Sequence, residues 1–181
     1  MRRLVPILLF ALLAASCAAG QVPDLPDLTT RAPVTLTPTT TGPPTTTEPP
    51  VVPAELEGFD VRAISIADGE LTYSLRVAVA DSAAERAQGL MGLVDLGDLD
   101  GMLFIYDSPT TSTFWMKDTL IPLDIAFFNA DGKWVNNFTM QPCLDEECET
   151  YSAEGEYVYA VEVPDAGFAG LTPAAVLDID L

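Results

Sequence analysis

The chain has no histidine. That absence excludes Ser-His-Asp and Cys-His catalysis, His-ligated zinc and imidazole acid–base chemistry. Basic residues are also scarce: eight Lys and Arg stand against 27 Asp and Glu, for a formal charge of −19. Nucleic acid and anionic lipid surfaces are poor partners for such a chain, whereas cationic ligands, metal ions or basic proteins are permitted. Cysteine occurs at three positions only, Cys17, Cys143 and Cys148. The apolar run near the start, Leu4–Leu13, falls well short of the roughly 20 residues that span a bilayer.

What is present at the start is a basic pair (Arg2, Arg3), that short apolar run, and the small residues Ala14, Ala15 and Ser16 before Cys17. This order predicts a secretory signal over 1–16. A Cys directly after the small residues predicts a bacterial lipoprotein, with diacylglycerol on Cys17 as the mature N-terminus. The alternatives are a secreted protein in which Cys17 is coincidental, or a retained membrane anchor. Residues 21–53 then hold ten Thr and nine Pro with no Phe, Tyr or Trp. Such a segment cannot bury enough apolar surface to offset its ordering entropy. In polyproline-II geometry, at about 3.1 Å per residue, it reaches roughly 100 Å. Residues 17–53 therefore read as an anchor and a stalk, and the partners expected from them are the membrane and then cell wall or another envelope protein. The predicted location is the outer face of the cytoplasmic membrane.

Residues 54–181 suffice for one domain. Strict alternation over Leu71–Val79 predicts a strand, paired with Val61–Ala67 through Asp68-Gly69, a strong hairpin signal. Ser82-Ala-Ala-Glu85 is a capping box opening a helix of about two turns that Gly89 ends. Strands are predicted at Met102–Tyr106 and Thr113–Met116 around an Asp-Ser-Pro turn. A hairpin follows, Leu123–Asn129 with Lys133–Met140, then strands at Tyr157–Val163 and Val176–Leu181. Pro164–Pro173 reads as a loop with one helical turn. The predicted class is α+β, mostly antiparallel, a small curled sheet or barrel-like domain with one or two short helices.

Several residues bear on chemistry. Cys143 and Cys148, as C-x4-C outside the cytoplasm, are most simply a disulfide. A redox pair favours closer spacing, and a metal pair needs further soft ligands. Asp145, Glu146, Glu147 and Glu149 beside them, and Asp95, Asp98 and Asp100 before Gly101, match no calcium loop, and the first group reads as a solvated tip. Arg86, on the short helix, is predicted to ion-pair with Asp124, or else to grip a ligand carboxylate or phosphate. Met91, Met102, Met116 and Met140 are core filler or a Cu(I) site. Asp118 and Asp124 form a hydrolase pair only if they share one cleft. The leading expectation is a monomeric, non-enzymatic binding module without cofactor, with Arg86, Trp115, Lys117, Asp118, Thr119 and Asp124 as its contact edge.

Four blocks occur in order: Glu85-Arg-Ala-Gln-Gly-Leu-Met91; Leu99-Asp-Gly-Met-Leu-Phe104; Phe114-Trp-Met-Lys-Asp-Thr119 with Ile121-Pro-Leu-Asp124; and Pro142-Cys143 with a second Cys and Tyr151. Over residues 58–181 the chain resembles the family of domains of unknown function numbered 192. The resemblance implies a compact, β-rich α+β domain, often exported behind a signal peptide, and implies no reaction, substrate or cofactor. The chain departs from the family pattern at Asp118, where Asn is usual, and at Thr172-Pro-Ala-Ala, where a Gly-Asp pair often closes the domain.

Overall fold

The computed structural model describes residues 50–164, 167–168 and 170–179. The predicted signal peptide, Cys17 and nearly all of the Thr/Pro segment lie outside them. A 3-10 turn, Ala54–Leu56, precedes β1 (Asp60–Asp68) and β2 (Leu71–Ala80), which pair antiparallel through the Asp68-Gly69 corner as expected. Asp68 also reaches across the fold: its carboxylate accepts the Thr172 N–H at 2.9 Å and the Thr172 hydroxyl at 2.5 Å.

The helix α1 (Ala83–Gln88) starts at the predicted capping box. It leads through turns to β3 (Gly101–Thr110), which lies parallel to β2. Residues 81–100 are long enough for the crossover that a parallel pair requires, so this one neighbour pair departs from the antiparallel expectation. The Asp-Ser-Pro segment does not turn. β3 runs through Pro109 with its register shifted between Ile105 and Thr110, where a proline interrupts no regular ladder. β4 (Phe114–Trp115) is correspondingly short, and its partner is β7 (Thr150–Tyr151), which local patterning did not reveal.

β5 (Leu123–Phe128) and β6 (Trp134–Met140) form the expected hairpin, and β8 (Tyr157–Pro164) lies between β5 and β3. β9 (Val176–Ile179) pairs with β1, and the stretch between β8 and β9 contains turns but no helix among its described residues. The strand order is β6-β5-β8-β3-β2-β1-β9. The far ends of this sheet meet: Leu177 N–H donates to Gly132 O at 2.7 Å and Trp134 N–H to Ala175 O at 3.1 Å. The result is a curled half-barrel. With one six-residue α-helix among the described residues the domain is mostly β rather than α+β, because Gly89 halts α1 and the chain to β3 is spent in turns.

Both faces of the sheet are buried. Leu123, Ile125 and Phe127 of β5 join Phe104, Phe114 and Tyr157 on the face that α1 covers. Ala126 and Phe128 join Val161, Val163, Phe168 and Leu171 on the other. Cys143 and Cys148 are joined by a disulfide, with Cα atoms 5.9 Å apart, in the loop that leads to β7.

Candidate functional site

On the α1 face a cleft of about 290 Å³ opens between the helix, β3, β8 and β4. Its helical wall is built by local chemistry. Ser82 Oγ accepts the Glu85 N–H at 3.2 Å while Glu85 Oε2 accepts the Ser82 N–H at 2.9 Å, and these bonds hold the Glu85 carboxyl below its ordinary range. Gly89 ends the helix at φ +51, its N–H bonded to Glu85 O, and a Cβ there would sit 3.7 Å from the Phe104 ring. The stop leaves Arg86 facing the sheet. Its Nη1 donates to Ile105 O at 2.9 Å and to Asp81 O, and its guanidinium lies 4.8 Å from the centre of the Tyr106 ring. A cation over an aromatic face is favourable by about 1 kcal/mol.

From the lining residues Phe104 and Phe114 an aromatic cluster continues into the core. Phe104 meets Phe114 edge-on at 5.0 Å, Phe114 meets Phe127 at 5.5 Å, and Phe127 meets Tyr157 at 4.8 Å. Tyr157 donates to Ser112 O at 2.7 Å, and burial, with Tyr106 close by, pushes its phenol well above the usual range. Trp115 stands at the mouth, 53% exposed.

The residue that sequence reasoning missed is Glu162, on β8. It alternates with Val161 and Val163, so it shares the cleft face with Ala160. It is 4% exposed, no hydrogen bond or ion pair reaches its carboxyl among the described residues, and burial alone pushes its pKa up to about 8. A single carboxylate inside an otherwise apolar strand was the available signal.

Of the six residues predicted as one contact edge, Arg86, Trp115 and Thr119 line this cleft, and Lys117, Asp118 and Asp124 do not. Lys117 Nζ donates to Asp145 O at 3.0 Å and lies 3.4 Å from Asp118 Oδ1, on the side of the disulfide loop. Asp118 is the one non-glycine with positive φ among the described residues, at +54. Its N–H bonds Cys143 O at 2.9 Å and its carbonyl accepts the Gly92 N–H at 2.9 Å. Asn and Asp adopt this left-handed conformation most readily, which accounts for either residue here by backbone geometry. Asp118→Val is expected to cost about 1–2 kcal/mol in urea unfolding, and Asp118→Asn next to nothing; equal losses from both would refute the conformational account.

Asp124 is buried on the opposite face, because it alternates with Leu123 and Ile125. Its Oδ1 accepts from Thr139 Oγ1 at 2.6 Å and its Oδ2 from Phe168 N–H at 2.9 Å. The predicted Arg86–Asp124 ion pair is therefore not formed, and Asp118 with Asp124 makes no shared cleft. Asp124→Ala would leave the Phe168 N–H unsatisfied and should cost about 2 kcal/mol by denaturant titration. A neutral result would show that the loop simply relaxes.

The acidic runs have local duties. Asp98 Oδ2 accepts Val51 N–H, Asp100 Oδ2 accepts Arg76 N–H and Asp95 Oδ1 accepts Gly97 N–H. Among the described residues no group of three or more carboxylates or cysteines is placed to hold a metal ion. Met102, Met116 and Met140 are packed in the core, and Met91 lines the cleft.

Comparison with known proteins bears on the fold. The chain is similar to a protein of unknown function from Novosphingobium aromaticivorans, at 28% identity and a TM-score of 0.62, over 73% of this chain and 94% of that one. A Sinorhizobium meliloti protein, provisionally described as a transcription regulator, matches at 23% identity and a TM-score of 0.59, over 67% and 95%. That second likeness concerns the fold alone. No curated protein matches the chain. A family model described as "DUF192: Uncharacterized ACR" matches residues 64–177, well over half of the 181 residues. The chain belongs to this family, domain of unknown function 192.

Proposed function

We propose that this chain is a lipid-anchored envelope protein whose domain binds a ligand in the α1–β3–β8 cleft without chemically transforming it. The observation that carries the binding reading is the pairing of a half-exposed Trp115 at the mouth with the buried Glu162 on the floor. A concave, mostly apolar pocket with a few convergent polar groups is the ordinary form of a binding site. Hydrolysis of a glycan takes two carboxyl groups flanking one bond. Among the described residues Glu162 is the single carboxyl lining this cleft, which favours recognition over turnover.

The anchor rests on the sequence around Cys17, and the Thr/Pro segment would hold the domain away from the membrane. Two measurements test the proposal. Intact mass of the native protein is expected to show a diacylglycerol-modified Cys17, and Cys17→Ala should move the protein from the membrane fraction to the soluble one. Indole emission should change when the full-length protein meets a digest of cell-wall glycan and peptide, with the change lost in Trp115→Ala. No response from any fraction would remove the binding reading.

A further inference from the structure

We infer that the cleft recognises a protonated amine on an apolar stem, with the ammonium group seated on the Glu162 carboxylate. This inference rests on the binding reading above and names its ligand class. Glu162 is 4% exposed and has no partner among the described residues, while it lines an open cleft. Its oxygens reach the cleft but meet no protein donor, a nearly buried carboxyl is costly to ionise, and a ligand that supplies donors and the opposite charge recovers that cost.

Three chemistries fit a lone carboxylate to different degrees. A hard metal ion collects six or more oxygens, and beside Glu162 the other lining side-chain oxygens belong to Gln88, Tyr106, Thr113 and Thr119. A neutral hydroxyl supplies one donor but no charge to hold the carboxyl in its ionised form. An ammonium supplies three donors and a full opposite charge on one small group, and aromatic faces such as Phe104, Phe114 and Trp115 attract a cation further. The chain's net charge of −19 draws cations toward the domain before contact.

Arg86 does not oppose this assignment. Its guanidinium lies over Tyr106, its Nη1 is engaged by two carbonyls, and it makes no ion pair with Glu162. Among the described residues that line the cleft, the titratable groups facing Glu162 are Arg86 from α1 and Tyr106 from β3; β4 and the segment to Thr119 contribute none. Leu90, Met91 and Phe104 form the wall for the stem. The volume, about 290 Å³, holds roughly ten water-sized groups, the size of a lysine side chain with room for its backbone.

The test uses the full-length protein and two soluble probes that differ only at the tip of the stem, Nα-acetyl-lysine amide and Nα-acetyl-norleucine amide, with N-acetylglucosamine as the neutral alternative. Binding is read by Trp115 emission and by calorimetry. Trp134 donates to Asn137 on the other face and serves as the silent reference. The lysine probe is expected to bind at least about tenfold tighter than the norleucine probe at pH 8.5, and Glu162→Gln to abolish that preference. Affinity of the wild type should rise from pH 6 to pH 9 as the carboxyl ionises while the amine stays charged. This profile needs no variant, so it decides the matter even if Glu162→Gln misfolds. Equal binding of the two probes, or a preference that survives Glu162→Gln, overturns the amine assignment. A response to N-acetylglucosamine alone overturns it too, while leaving the binding reading standing. Silence from all three probes and from the wall digest overturns both.

Discussion

Between pH 5 and pH 8.5 the domain is expected to lose roughly 4 kcal/mol of unfolding free energy, and Glu162→Gln is expected to keep it. The reason is the buried carboxyl on β8. Its pKa in the fold is about 8, raised by burial from the ordinary 4.5. In that interval the folded chain holds a proton that the unfolded chain has released, so each rise in pH favours unfolding. The contribution is fully favourable below pH 4.5 and is lost as pH climbs through 8. Each unit of separation is worth about 1.4 kcal/mol, against a total of about 5–15 kcal/mol for a typical domain. Other shifted groups act outside the window: Glu85, held low by the capping box, loses its contribution only in acid, and Tyr157 only in strong alkali. Urea titrations of both proteins at pH 5, 6.5 and 8.5 make the comparison. Parallel curves would mean that Glu162 is ionised and solvated in the fold, and the cleft would need another account. A variant more stable than the wild type at pH 8.5 would mark Glu162 as a residue kept at the expense of stability, as ligand sites often are.

Gly101→Ala should be nearly as damaging, at about 3 kcal/mol or more. The space where a Cβ would stand is occupied: it would lie 1.9 Å from the Glu162 carbonyl oxygen and 3.0 Å from Val163 Cγ1. Neither obstacle is the end of a flexible side chain. Gly101 opens β3 against Val77 of β2, while the next residue, Met102, pairs with Glu162 of β8. Backing β3 away from β8 would break the ladder in the middle of the seven-stranded sheet. It would also move the backbone that carries Glu162, so ligand binding and stability should fall together. A Gly101→Ala protein within 1 kcal/mol of wild type by denaturant midpoint would show that this contact is looser than drawn.

How much of this was readable beforehand depends on whether the cause was local. Asp68-Gly69, the Ser82–Glu85 box and the Gly89 stop are written within a few residues, and the hairpin and helix they predict are present. β7 is two residues long and exists because Phe114 and Trp115 come to it from 35 residues away, which no window of sequence can display. The parallel placement of β3 against β2 is equally non-local. Thr119 and Trp115 reach the cleft because the turn at Asp118 is held between Cys143 and Gly92. Parity excludes the expected Arg86–Asp124 pair: Leu123 and Ile125 face α1, so the residue between them cannot. Glu162 was overlooked because its chemistry arises from desolvation by neighbours distant in sequence. The strand Tyr157–Val163 was anticipated, yet nothing within it says which face is roofed by a helix and which lines a cleft.

The curl of the sheet also governs how the chain arrives at this state. Within this sheet β1–β2 and β5–β6 are local hairpins and β2–β3 is joined by the α1 crossover; β8 must find β3 and β5, and β9 must return to β1 across more than 100 residues. Such high contact order makes folding slow, on the millisecond-to-second scale. The step that closes the half-barrel, β9 with the Gly132 turn and the Thr172–Asp68 clasp, joins the most distant parts of the chain. Until it forms, the outer edge of β1 is open to pairing with another molecule. A charge of −19 supplies mutual repulsion during that interval. The acidity of this chain thus guards a slow-closing sheet against its own copies, and refolding yield should fall as added salt screens that repulsion.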